Sequence, residues 1–255
     1  PVERGAHAFR ASVARIVPLA WPVFMGQVAM VLFATVDTVL VARYSAIDLA
    51  ALAVGSAAYI TVFIGLMGVV LAVGPIVGQR VGAKRYAVAG EQLHQAVWLA
   101  LGLAVLGSAL LIFPQPFIAL SRSTPEVAGK LRHYLLALAL ALPAGLLFAA
   151  FRGFNNAVSR PKAVMVLQLS GLALKAPLAA LLVHGAGPLP ALGVTGCGLS
   201  TAITMWVVVL ASWWVLRRDP FYAPFAIFGH GLRPPNWPAL GAQLKLGIPM
   251  GGSVL

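Results

Sequence analysis

Acidic residues are scarce in this sequence, and so are charged residues of any kind. Only 6 of the 255 residues are Asp or Glu and 18 are Lys or Arg, so 9% of the chain is charged. A soluble domain carries about 25% charged residues, whereas 60% of this chain is hydrophobic. This balance excludes an ordinary soluble domain and predicts an all-α integral membrane protein with several spans.

The few charged residues are mostly basic, and their placement matters more than their number. A net charge of +12 alone could indicate a nucleic-acid partner. The Lys and Arg residues lie between apolar runs, however, and most fall in segments on the N-terminal side of the membrane. Cytoplasmic loops retain such residues. We therefore expect no nucleic acid, a lipid bilayer as surroundings, and a cytoplasmic N-terminus in a plasma membrane, the inner one in a bacterium.

Cysteine and catalytic motifs are also nearly absent. The single cysteine, Cys197, excludes an internal disulfide and a cysteine-based metal cluster. The sequence has no HExxH, GxSxG or P-loop pattern and no paired carboxylates. We therefore predict no catalytic residues, no metal site and no cofactor. The protein is not expected to be an enzyme.

Long apolar runs are what the sequence does have. Residues 1–15 form a short basic lead, and residues 16–218 hold six predicted spans. Residues 219–238 form a longer cytoplasmic loop, and residues 239–255 begin a seventh, truncated span. The six predicted spans are residues 16–42, 51–77, 92–113, 131–151, 163–183 and 193–216, and the polar segments 78–91 and 152–162 are the predicted cytoplasmic connectors.

The beginning of the seventh span resembles the first. LAWPVFMGQV at residues 19–28 aligns with LGIPMGGSVL at residues 246–255, and a basic residue precedes each. This similarity suggests that a second six-helix half begins here, as in secondary transporters built from repeated halves. The alternative is that Leu-x-x-Pro opens many membrane helices by chance.

Six segments in order resemble the multidrug and toxic compound extrusion (MATE) family of cation-coupled antiporters. They are PLAWPVFMGQ with VDTVLVAR, LAALAVGSAAY, GQRVGAKRYAVAGE, RGFNNAVSRPKAVM, GVTGCGLSTAI and LKLGIPMGGSVL. The resemblance implies two six-helix lobes that open alternately to either side. This chain would be the N lobe with the first turns of the C lobe, and its partner would be the missing C-terminal lobe. The family's C-lobe acid on helix seven would follow Leu255.

Asp37 is the single acid in the first span, deep in its outer part. An isolated carboxylate is costly in hydrocarbon, so Asp37 must face a polar cavity, meet a partner or hold a proton. The resemblance makes it the N-lobe coupling residue, which binds a proton or helps to hold a cation. Helical spacing predicts Met30 and Ala34 on its face and Gln27 about 80° away, as a cavity wall. The alternative is a structural acid paired with another helix.

Lys175 is the cation that the sequence predicts inside a span. In many members of the family that this sequence resembles, the same position of helix five carries Asn. Lys175 therefore departs from the family pattern. Lys175 and Asp37 lie at similar depths, about 9–14 Å from the outer boundary, which predicts an ion pair. Such a pair would argue against a sodium site in this lobe. The alternative is that Lys175 extends towards water.

Four other intramembrane residues are candidates for a role in transport. Pro22, fifteen residues before Asp37, and Pro177, two residues after Lys175, could kink their helices, although a fixed kink for packing is the alternative. Gln168 and Thr201 could line the substrate cavity. A membrane Thr often bonds only its own helix, which is the alternative for Thr201.

These features together predict secondary active efflux of organic cations or amphiphilic drugs in exchange for protons or sodium. One alternative is a lipid-linked sugar flippase of the same superfamily, which would require a strongly cationic cavity. The other is a channel-like or non-transporting structural membrane subunit, which explains the lone deep acid poorly.

Overall fold

The computed structural model describes residues 2–253, with side chains from His7 onward. Pro1 of the predicted lead and the last two residues of the predicted seventh span lie outside the described residues. Nine α-helices and one 3₁₀ helix, Pro220–Phe225, make up this part of the chain. The α-helices are α1 Val2–Tyr44, α2 Ala46–Val70, α3 Val73–Gly82, α4 Tyr86–Ile112, α5 Gln115–Ser121, α6 Pro125–Ala157, α7 Pro161–His184, α8 Val194–Arg218 and α9 Trp237–Gly252.

Six helical segments in the described residues are long and apolar enough to cross a membrane. They confirm the all-α membrane architecture and correspond in order to the six predicted spans. Apolar runs form helices in lipid because every backbone polar group must find its partner within the segment. The second segment, Ala46–Gly82, includes both α2 and α3.

The polar segments between spans are more helical than the sequence predicts. Most of the lead 1–15 continues α1, and the segment 78–91 is interrupted only between Gly82 and Tyr86. Likewise α6 extends to Ala157 and α7 begins at Pro161, so the connector predicted at residues 152–162 is short. Hydropathy marks where a helix leaves the hydrocarbon, but the backbone bonds of a helix continue into water.

Helix α6 lies at the centre of the bundle. It packs against α2, α4 and α8, while α7 packs mainly against α1 and α8. Many buried positions of α6 are alanine, and Tyr134 fills the space where α6 meets Gly55 of α2 and Gly198 of α8. Small residues let helix backbones approach closely in a membrane. This packing holds α1, α7 and α8 around one polar cluster.

The segment between α8 and α9, which was predicted as a longer loop, includes the 3₁₀ helix Pro220–Phe225 and forms a strap that packs against the bundle. Arg233 forms an ion pair with Glu91 at 3.2 Å, and Gln95 bonds both the Pro234 carbonyl and the Asn236 amide. Tyr222 of this strap donates its hydroxyl to Asn155 of α6, and burial raises the pKa of Tyr222 to about 12. The strap is thereby fixed to α4 and α6 by polar bonds.

Helix α9 crosses α2 where both helices carry glycine. A Cβ on Gly68 of α2 would lie 2.5 Å from the Cα of Gly251, and one on Gly247 would lie 2.5 Å from the Val69 carbonyl oxygen. The two backbones therefore pack with no side chain between them. This crossing attaches the beginning of the seventh apolar segment to the six-helix bundle.

We expect Gly68→Val to destabilise the protein, because the obstructing atoms belong to the backbone of α9 and cannot move aside cheaply. Overpacking of this kind costs about 1–3 kcal/mol. The matched control is Gly102→Val in α4, where an added Cβ meets no atom within 4 Å. Thermal unfolding of the purified protein in detergent should show a lower midpoint for Gly68→Val only. Equal midpoints for the two variants would contradict the close crossing.

Candidate ion-coupling site

Asp37 and Lys175 form an ion pair inside the bundle. Lys175 Nζ of α7 lies 2.8 Å from Asp37 Oδ1 of α1, with the Lys side chain fully buried and 12% of the Asp side chain exposed. The ion pair predicted from their depths is confirmed, and the alternative that Lys175 extends towards water is wrong. Opposite charges at this distance stabilise each other where the dielectric constant is low.

Helix α8 supplies the other partners of Lys175. Its ammonium group donates to Ser200 Oγ at 2.9 Å, to the Cys197 carbonyl oxygen at 3.2 Å and to Thr201 Oγ1. The ring of Phe33 in α1 lies 4.8 Å from Nζ, within the range of a cation–π contact. These contacts fix the Lys175 ammonium between α1 and α8.

Thr201, which was predicted as a cavity residue, is buried. Its hydroxyl accepts from Lys175 and donates to the Cys197 carbonyl oxygen at 3.2 Å, four residues earlier in α8, and its part in a cavity stays a prediction. The sequence did not indicate Ser200, the Cys197 carbonyl or Phe33 as partners of Lys175. Residues 197, 200 and 201 do share one helical face, since their spacings are three and four. That signal could have identified a polar stripe on α8, but not the lysine that faces it.

Asp37 is less completely bonded than Lys175. Its Oδ1 atom is buried and makes no hydrogen bond of good geometry with the described residues, so charge attraction is its main link to Lys175. A proton on Asp37 would remove that attraction and leave the ammonium with its three oxygen partners on α8. Protonation would therefore weaken the link from α1 to α7 and keep the link from α7 to α8.

The predicted cavity wall on α1 is separate from the Asp37 carboxyl group. Gln27, Met30 and Ala34 are exposed and line a shallow depression together with Val31, Thr35, Thr38 and Val39. Asp37 is buried, as are Pro22, Gly26, Ala29 and Val41. Helix α7 packs against α1 and covers Asp37, whereas Met30 and Ala34 stay exposed. The role of Gln27, Met30 and Ala34 as a cavity wall stays a prediction.

The remaining predicted residues lie on the two helices of the pair, α1 and α7. Gln168 of α7 is half-buried and packs directly against Gly26 of α1. Pro22 is buried inside α1 and Pro177 is exposed on α7, and each helix continues on both sides of its proline. Gln168 and Pro22 therefore lie at the α1–α7 contact. Among the described residues, no three His, Cys, Asp or Glu side chains come together to hold a metal ion.

Arg152, which was predicted at the start of a connector, lies near the end of α6, five residues before Ala157. Its guanidinium group contacts the sulfur atoms of Met30, at 3.4 Å, and Met67, at 3.0 Å. The structure therefore places a second cation beside α1 and α2.

A bundle of six apolar helices around a buried ion pair defines an α-helical integral membrane protein. The family MatE matches residues 22–181, which is more than half of the chain. The chain belongs to the MatE family, and the resemblance to MATE proteins is confirmed.

Curated relatives agree with this assignment. The probable multidrug resistance protein NorM of Aromatoleum aromaticum is 46% identical over 232 residues, which cover 91% of this chain and 50% of that protein. The multidrug resistance protein PmpM of Pseudomonas aeruginosa is 32% identical over 258 residues, which cover 100% of this chain and 53% of that protein. The chain thus spans about half the length of the curated relatives it matches.

Solved structures show the same fold. A eukaryotic MATE transporter superposes with a TM-score of 0.85 at 18% identity, covering 96% of this chain and 54% of that protein. A MOP superfamily transporter from Pyrococcus furiosus gives a TM-score of 0.81 at 18% identity, with coverage of 93% and 52%. The described helices thus correspond to about half of each transporter.

Proposed function

We propose that this chain forms the N lobe of a secondary active multidrug antiporter, which exports organic cations or amphiphilic drugs in exchange for protons. The observation that carries the proposal is the buried ion pair between Asp37 and Lys175. A single carboxylate that joins two helices by charge is a group whose protonation can change how those helices pack.

The coupling step follows from the bonds on each side of the pair. With Asp37 ionised, α1 is held to α7 through Lys175, and α7 to α8 through Ser200 and Thr201. Proton binding to Asp37 weakens the first link only. The proton gradient would thus select between two arrangements of α1, one open to each side of the membrane, and substrate would leave in one of them.

The partners of Lys175 support protons over sodium as the coupling ion in this lobe. A sodium site needs several free oxygen ligands, whereas the Lys175 ammonium already occupies the position beside Asp37 and takes three oxygens of α8. A protein cation in that position opposes a second cation by like-charge repulsion. Sodium stays the alternative for the transporter as a whole.

The relatives' names support the substrate class, since NorM and PmpM are named multidrug resistance proteins. Their greater length supports a second, C-terminal lobe as the partner of this chain. The basic residues on the N-terminal side of the spans support a cytoplasmic N-terminus in a bacterial inner membrane. A transporter of small molecules with this fold needs no catalytic residues, so we propose that it is not an enzyme.

The test uses the two-lobe transporter in proteoliposomes with ethidium as a fluorescent organic cation. Ethidium movement is followed under an imposed pH gradient, an imposed sodium gradient, and no gradient. The proposal expects movement against the ethidium gradient with the pH gradient alone. Movement that needs sodium would contradict proton coupling, and only downhill movement under all three conditions would contradict antiport.

The lipid-linked sugar flippase stays the second candidate because Arg152 is a second cation beside α1, in addition to Lys175. A diphosphate needs several cations, and in the described residues Lys175 is already paired with Asp37. Flipping of a lipid-linked diphosphate sugar in the same proteoliposomes, without ethidium transport, would favour this candidate.

A further inference from the structure

The neighbours of Arg152 satisfy the charge and the hydrogen-bond donors of its guanidinium group poorly. Its side chain extends from α6 to α1 and α2, where Nη1 and Nη2 contact the sulfur atoms of Met30 and Met67. A thioether sulfur is a weak, uncharged acceptor, whereas a guanidinium group carries five N–H donors and a full charge. A charged side chain held between packed helices normally pairs with an opposite charge, so these contacts leave the charge unbalanced.

The described acidic side chains do not supply that anion. Four of them pair with other cations: Asp37 with Lys175, Asp48 with Lys130, Glu91 with Arg233 and Asp219 with Arg160. The fifth, Glu126, lies in the first turn of α6, at the opposite end of that helix from Arg152. Within the part of the chain with described side chains, Arg152 therefore has no ion-pair partner.

The position of Arg152 points to the substrate cavity. Met30, which it contacts, is 40% exposed and lines the depression on α1 with Gln27 and Ala34. Asp37 follows Met30 by seven residues, a distance of about 10 Å along the helix axis. Arg152 therefore lies beside the open wall of α1, about two helical turns from the coupling acid.

We propose that Arg152 binds a carboxylate on the transported compound, which makes it a specificity residue for zwitterionic amphiphiles. This inference rests on the proposed transport function and deepens it. Arg suits the task because its planar fork binds a carboxylate through two parallel hydrogen bonds. The flexible side chains of Met30 and Met67 can give up their weak contacts when the ligand arrives.

Lys175 is not an equivalent binder. Its ammonium group is fully buried, paired with Asp37 and bonded to three oxygens of α8. A substrate carboxylate that reached Lys175 would have to displace Asp37. Arg152 loses only two contacts to sulfur when it turns to a ligand. Of these two cations, Arg152 is the one whose bonds leave it free to bind an anion.

The test measures equilibrium binding of two dyes that differ in one group. Tetramethylrhodamine carries a free carboxylate beside its cationic ring system, and its methyl ester carries the ring cation alone. Fluorescence anisotropy gives the dissociation constant of each dye for the two-lobe transporter in detergent. The variants are Arg152→Gln and Arg152→Lys, with Lys162→Gln as a control that removes one exposed positive charge.

The proposal expects Arg152→Gln to weaken binding of tetramethylrhodamine by about 10- to 100-fold, the usual worth of a charge-assisted bond. Binding of the methyl ester should change by less than about threefold, and Arg152→Lys should recover part of the lost affinity. Lys162→Gln should leave both dyes at wild-type affinity. Equal weakening of both dyes, or no weakening, would overturn the inference and favour a carboxylate of the second lobe as the partner of Arg152.

A transport measurement separates this inference from the proposed function. Uptake of the methyl ester by wild-type proteoliposomes under a pH gradient tests antiport and does not depend on Arg152. If the methyl ester moves but Arg152→Gln does not discriminate between the dyes, the inference alone is wrong. If wild type discriminates in binding but moves neither dye under any gradient, the proposed function is wrong and the carboxylate site stands.

Discussion

Asp37→Asn is expected to abolish drug export driven by a pH gradient. Asparagine has nearly the shape of aspartate but cannot exchange a proton at neutral pH, so the link between α1 and Lys175 no longer responds to the gradient. Because Asp37 acts only through its ionisation, its removal should lower the rate of gradient-driven export by about 100-fold or more. A 100-fold loss in rate corresponds to about 2.7 kcal/mol. Facilitated, downhill movement of the same dye can persist.

The measurement is ethidium export into inverted membrane vesicles, scaled to the amount of inserted protein. Asp48→Asn is the matched control, because Asp48 is also a buried acid in an ion pair, at 3.3 Å from Lys130. Its other oxygen accepts the Val194 amide at 2.8 Å, so it fastens α2 to the beginning of α8. Asp48→Asn should therefore lower stability but keep the dependence on the pH gradient. Wild-type export by a well-inserted Asp37→Asn protein would make Asp37 structural.

The sequence predicted the pair because depth in a membrane can be counted. The position of Asp37 and Lys175 along their spans follows from the fixed rise of a helix, and two opposite charges at one depth in hydrocarbon have a strong reason to meet. Rotation about the helix axis cannot be counted in this way. The sequence therefore did not show that α7 covers Asp37 while Met30 and Ala34 of the same helix stay exposed.

Other features depended on contacts between distant segments. Ser200 was missed because the face of α8 that meets Lys175 is set by the packing of α7 and α8. The contacts of Arg152 with Met30 and Met67 were missed because they join α6 to α1 and α2, which lie far away in sequence. The order of the strap depends on side chains of α4, among them Gln95, which lie about 140 residues away in sequence. A pattern of neighbouring residues in the sequence does not indicate such distant partners.

Lys175→Met and Asp37→Asn are expected to be less harmful to stability together than their separate effects predict. Each single change removes one charge and leaves its buried partner without a counter-charge, which costs about 3–5 kcal/mol for a buried pair. The contacts of Lys175 with Ser200 and the Cys197 carbonyl should keep Asp37→Asn at the lower end of that range. Lys175→Met keeps the volume of the side chain but leaves the Asp37 carboxylate alone.

The double variant removes both charges, so no buried charge is left unpaired. Its loss in unfolding free energy should be smaller than the sum of the single losses by about 2–3 kcal/mol, the coupling of residues in direct contact. Thermal or denaturant unfolding of the three purified variants in one detergent measures this difference. Losses that simply add would mean that the two groups do not stabilise each other.

The double variant also separates stability from coupling. If the pair serves only to hold the bundle together, restoring stability should restore export. If the proton on Asp37 couples export to the gradient, the double variant should lose less stability than the sum of the two single variants. It should nevertheless fail to export against a dye gradient. Recovery of gradient-driven export in the double variant would therefore contradict the coupling role of Asp37, even where the ion pair itself is confirmed by the stability cycle.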